Sequence, residues 1–126
     1  KNLLVVEKII KSIVWRQNLK TGKLVGMNKN LTFWEYYEYY LTLHTNKWTR
    51  RLHVLGQLAT ISFVYLVLVN KLWLLLALTP FVVYPFAWSG HYFFEKNKPA
   101  AFTNPLWAKA CDWVMLWHII TGRIKF

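Results

Sequence analysis

One cysteine, Cys111, occurs in 126 residues, and this excludes an intrachain disulfide framework. It lies in an apolar stretch, where a small packed side chain is expected and a nucleophile is not. Carboxylates are scarce too: five Asp and Glu stand against sixteen Lys and Arg, so any partner chosen by charge is anionic. From Leu52 to Gly90 charge is almost missing, Lys71 being the only charged residue besides His53. A soluble domain of this length has too little remaining chain to cover such a block. No small-residue cleavage site follows "KNLLVVEKIIKSIVW", where Glu7, Lys8 and Lys11 interrupt the apolar pattern, so no cleavable leader is expected. No internal repeat is visible.

Apolar and aromatic side chains are abundant. Hydrophobic residues make up 56% of the chain and aromatics 18%, above the share of an ordinary soluble domain. Each half of the uncharged block approaches the roughly 20 apolar residues that a membrane-spanning helix needs. The basic residues flank these runs instead of interleaving with aromatics, which fits anionic headgroups and the positive-inside rule better than nucleic acid. The sequence therefore predicts an all-α integral membrane helical bundle.

Residues 1–26 read as an N-terminal extension, a short amphipathic helix followed by the turn-rich "NLKTGKLVG". Residues 27–126 read as a single membrane-embedded helical domain. Asn30 or Thr32 is expected to cap a flanking interfacial helix over about 32–44, with "YYEYY" as an aromatic belt. A central transmembrane hairpin follows, about 51–69 and 72–89, joined by Asn70-Lys71 and kinked by Pro80 and Pro85. A C-terminal helix is expected over about 105–122, with Pro105 in its first turn. Lys47, Arg50, Arg51, Lys96, Lys98, Arg123 and Lys125 lie at the open ends of the hairpin, which predicts a cytoplasmic location for those ends, in a bacterial inner membrane or the endoplasmic reticulum.

The polar groups beside the apolar runs need an explanation. His44, His53 and His91 lie where spans meet the basic side. His91 and Glu95 share one face if their segment is helical, so they can share a metal ion or form an imidazole–carboxylate pair. His44 and His53 are nine residues apart, about 900° on one continuous helix, so they converge only if the chain breaks between them. Thr45-Asn46 is the expected break, and the hairpin returns His91 to the same membrane face. Three imidazoles, with or without a carboxylate, suit Fe(II), Zn(II) or Mn(II). The plainer reading has each histidine capping or snorkelling and Glu95 paired with Lys98 or Arg51. His118, deep in the last helix, is the weaker candidate. Asp112, a carboxylate within an apolar helix, requires a partner from Arg50, Arg51 or a histidine.

"FWEYYEYYLTLHTNKWTRRLHVLG" and "AWSGHYFFEKNKPAAFTNP" together resemble a family of small membrane proteins that includes the fungal 2-hydroxy-palmitate dioxygenase. The pattern falls on His44, Asn46, His53, Gly90, His91, Phe94, Glu95, Lys96 and Pro99, and covers about Leu31 to Gly122. With only Asn70-Lys71 between the motifs, the chain is similar to the short, bacterial-like form. The resemblance implies an Fe(II)-dependent dioxygenase of fatty acid α-oxidation, converting a 2-hydroxy fatty acid with O2 to the acid one carbon shorter. It implies Fe(II) on His44, His53 and His91, with Glu95 a ligand or the partner of one. Glu95, Asp112 and Asn46 are then candidate catalytic groups, and Arg50, Arg51 and Asn97 candidate substrate-binding ones. The partners would be the lipid bilayer, the 2-hydroxy acid and O2, with no nucleic acid and a homo-oligomer allowed. The competing readings are a non-catalytic lipid-binding or scaffolding protein with a structural polar cluster, and a metal-dependent lipid hydrolase.

Overall fold

The computed structural model describes residues 32–126, so the expected extension over 1–26 and the alternative cap Asn30 lie outside the described residues. The chain divides into two compact units between Thr42 and Leu43.

The first unit contributes helix α1, Phe33–Thr42. Thr32 and Glu35 start it as a reciprocal capping box: Glu35 Oε2 accepts from the Thr32 backbone N–H at 2.7 Å, and Thr32 Oγ1 accepts from the Glu35 N–H at 3.4 Å. Tyr36, Tyr37, Tyr39 and Tyr40 are buried, and their spacing gathers them on one face. The tyrosines of "YYEYY" thus form one buried face of α1.

In the second unit, helix α2 spans Lys47–Val69, starting four residues before the expected 51. Asn46 explains the early start: its side-chain oxygen accepts from the Trp48 N–H at 2.9 Å and caps the helix. Asn70 ends it, and Lys71, at φ 57°, turns the chain in the left-handed region.

The returning run was expected to be one helix over 72–89. It is instead a 3₁₀ helix at Trp73–Phe81, helix α3 at Tyr84–Gly90 and a π turn at His91–Glu95. Pro80 and Pro85 lack the backbone donors that a continuous α-helix requires, which divides the run. Lys47–Val69 and Trp73–Glu95 are nevertheless each 23 residues, long and apolar enough to cross a membrane. After a 3₁₀ turn at Ala100–Phe102, helix α4 runs over Pro105–Ile120, capped by Asn104 through the Trp107 N–H at 3.1 Å. All these elements are helical, and no strand occurs among the described residues.

Helix α2 is polar inside and apolar outside. Thr49, His53, Gly56, Gln57 and Thr60 are buried along one stripe, while Leu55, Leu58, Ile61, Tyr65 and Leu66 are exposed. The segment around α3 crosses α2 at Gly56 of α2 and at its own Gly90. A Cβ on Gly56 would stand 2.9 Å from Val83 Cγ2, and one on Gly90 3.2 Å from Thr49 Cα. Small residues at a crossing let two backbones approach closely. Helix α4 meets α2 through two polar rungs, His53 with Asp112 and Gln57 with Lys109.

Candidate metal centre

The break at Thr45-Asn46 brings His44 back over the first turns of α2. Arg50 fixes this corner: its Nη1 donates to the carbonyls of His44 (3.0 Å) and Thr45 (2.8 Å), and its Nε to the Lys125 carbonyl (3.0 Å). Glu95 fixes it from the π turn of the returning run, accepting from Thr45 Oγ1 at 2.9 Å and from the Asn46 N–H at 2.6 Å. Its carboxylate is therefore bound to the corner, whereas the plainer sequence reading expects Lys98 or Arg51 as its partner.

His44, His53 and His91 are all buried, and their ligand nitrogens lie within 4.8 Å of one another. His44 Nε2 and His53 Nε2 are 3.1 Å apart. The three rings pack edge to face, with centroids 4.5 to 5.4 Å apart. Among the described residues, Glu95 and Asp112 do not belong to this group.

Each of two histidines has its Nδ1 taken by a neighbour. Asp112 Oδ1 stands 2.8 Å from His53 Nδ1. A carboxylate accepts, so His53 carries a proton on Nδ1, and in the neutral imidazole the lone pair is at Nε2. His91 carries its proton on the same ring nitrogen. The Leu43 carbonyl can only accept, so the amide nitrogen of Asn97 must face it, at 3.1 Å. Asn97 Oδ1 then faces His91 Nδ1, at 2.7 Å, and the imidazole must donate there. His91 Nε2 is consequently its lone-pair nitrogen.

This donor set fits a first-row divalent ion. Imidazole nitrogens bind such an ion at about 2.1 Å, so two of them sharing it stand roughly 3.0–3.4 Å apart. The 3.1 Å separation of His44 and His53 falls in that range. The outer partners, carboxylate on one imidazole and amide oxygen on another, are the usual devices that orient metal-binding histidines.

The Asn46 side chain caps α2, and its backbone N–H serves Glu95. The Arg51 guanidinium lies over the rings of Trp48 (4.7 Å) and Phe126 (5.2 Å), and its buried Nε has no hydrogen-bond partner. Asn97, expected at the substrate, is bonded to His91. His118 is outside the histidine group and sits in the last turn of α4, its carbonyl accepting from the N–H of Arg123 at 2.8 Å. Burial, and secondarily the charge of Asp112, push the Cys111 thiol up to about 12, which keeps it protonated and unreactive.

Two features were missed from sequence. Lys109 Nζ donates to Gln57 Oε1 at 3.1 Å, one turn beyond His53, and leaves the buried Gln57 Nε2 without a partner. Burial lowers the Lys109 pKa below its ordinary value, and Asp112 opposes that shift. The available signal was Gln57 itself, a polar residue four after His53 in an apolar run. The second feature is a cavity of about 630 Å³ lined by His91, Tyr92, Phe93, Lys96, Asn97 and Lys98.

No curated protein and no solved structure matches the chain. A family model does: residues 31–124, about three quarters of the chain, match the 2-hydroxy-palmitic acid dioxygenase Mpo1-like family, and the chain belongs to that family.

Proposed function

We propose that this family member is a membrane-embedded Fe(II)-dependent dioxygenase of fatty acid α-oxidation, and that it converts a 2-hydroxy fatty acid with O2 to the acid one carbon shorter. The observation that carries this reading is the buried group of His44, His53 and His91, with the outer nitrogens of His53 and His91 held by Asp112 and Asn97. The family description supports the substrate class. The reaction balances without an outside reductant: one 2-hydroxy acid and one O2 give the shortened acid, one CO2 and one water. The substrate supplies all four electrons that O2 requires.

His44, His53 and His91 would hold the iron, which when bound would supply activation of O2 beside the 2-hydroxy acid. The protein's own groups prepare that centre. Asp112 keeps the proton of His53 on Nδ1, and Asn97 does the same for His91, so both rings turn a lone pair inward. Glu95 and Asn46 act as positioning residues, tying the corner that carries His44 to the turn that carries His91. Arg50 positions the same corner through its carbonyl contacts. Arg51 would draw anionic head groups to the polar face.

A bilayer setting is supported by the inverted pattern of α2, apolar outwards and polar inwards, and by its basic flanks. It lets an acyl tail remain in lipid while its head reaches the histidines.

The test is anaerobic loading of the purified protein with Fe(II), addition of 2-hydroxypalmitate and O2, and product analysis by mass. The fifteen-carbon acid should appear with oxygen uptake, and His53→Ala should abolish both. Metal-loaded protein that consumes no oxygen and leaves the acid intact would refute the dioxygenase reading.

A further inference from the structure

The cavity beside His91 has a division of chemistry that the metal centre does not explain. Its lining combines the aromatic residues Tyr92 and Phe93 with two cations, Lys96 and Lys98, and Asn97 continues to His91. At about 630 Å³ it falls within the size of ordinary small-ligand sites. The backbone here is also unusual. Lys96 adopts φ 54°, a left-handed conformation uncommon for residues other than glycine and asparagine. Its N–H closes the π turn on the His91 carbonyl, and the Asn97 N–H bonds the same carbonyl at 3.3 Å. Lys96 therefore occupies the position that ends the turn carrying His91. An oxygen-free tail would gain nothing from these cations, whereas an anionic amphiphile complements both the rings and the ammonium groups.

We infer that Lys96 and Lys98 form the carboxylate-binding subsite of the acyl substrate, and that they select an acid over a neutral lipid of the same chain length in the cavity beside His91. The inference rests on the reading of a 2-hydroxy fatty acid as substrate, and it assigns the two lysines to substrate recognition and not to chemistry. Asparagine tolerates the left-handed region, so Lys96→Asn removes the charge while keeping the turn.

The experiment uses the full chain in nanodiscs of phosphatidylcholine and measures equilibrium binding of 2-hydroxypalmitate and of 1,2-hexadecanediol, which has the same tail without the carboxylate. Wild type should bind the acid at least tenfold more tightly than the diol. Lys96→Asn/Lys98→Gln should remove that preference, leave diol binding unchanged and raise KM for the acid while preserving kcat. Lys96→Arg/Lys98→Arg should retain the preference, which guards against a folding artefact. An unchanged acid preference in the Asn/Gln variant, or its loss in the double-arginine protein, would overturn the inference. So would an effect confined to vesicles containing phosphatidylglycerol, which would assign the lysines to bilayer head groups. Selective acid binding by a wild type that consumes no oxygen would leave this subsite standing and remove the dioxygenase reading instead.

Discussion

Asp112 Oδ1 stands 2.8 Å from His53 Nδ1, joining the middle of α4 to the second turn of α2 inside the protein. Both residues are buried, so the pair sets the tautomer of His53 as well as the helix contact. Asp112→Asn should lower divalent-metal affinity by about 10- to 100-fold while the protein still folds. Competition with a chelator of known affinity measures this, and unchanged metal affinity would remove Asp112 from the centre.

Asn97 offers a sharper test of tautomer control. Asn97→Asp keeps an acceptor facing His91 Nδ1, so metal binding should persist. Both variants leave the Leu43 carbonyl without its amide donor, whereas Asn97→Leu alone also removes that acceptor. Its metal affinity should fall about tenfold or more. Equal affinity in the two variants would show that the amide does not orient the ring.

The Gln57–Lys109 rung is a structural contact one turn from the centre. Lys109→Met leaves both ends of the Gln57 amide buried without partners, which should cost about 1–3 kcal/mol of stability. Gln57→Leu in that background should recover most of the loss, since replacing both partners by apolar groups is nearly neutral. Thermal unfolding of the two single variants and the double variant measures the coupling. Additive losses would mean that the two side chains do not depend on one another.

Gly56 is expected to tolerate no side chain. Gly56→Ala would bring a methyl group to 2.9 Å from Val83 Cγ2 and 3.1 Å from Phe86 Cβ. Overpacking of this kind costs about 1–3 kcal/mol, enough to offset the better helix propensity of alanine. A lowered unfolding temperature in detergent, with metal binding retained, is the expected result.

The helices and the meeting of the histidines were legible because they follow from local signals. Apolar runs, Asn46, Pro105 and the Asn70-Lys71 turn mark the elements, and the 900° argument for His44 and His53 requires the break that the corner supplies. The partners of the polar groups were not legible. Glu95 lies 49 residues from Asn46 and Asp112 lies 59 from His53, so their pairings depend on how whole segments pack. For Asp112 the sequence left two arginines and a histidine open, and only packing chose between them. The division of the second run was partly hidden as well: the prolines announced a kink, but not that the stretch before Pro80 would be 3₁₀ or that His91 would open a π turn. Such turns often accompany functional sites because they re-aim a side chain within a helix.

Calorimetric titration of anaerobic Fe(II) into metal-free protein tests whether the three imidazoles form one metal centre. Wild type should bind one equivalent per chain, and His44→Ala, His53→Ala and His91→Ala should each lose most of that affinity. No uptake by wild type, or full retention in all three variants, would show that these imidazoles do not hold a metal.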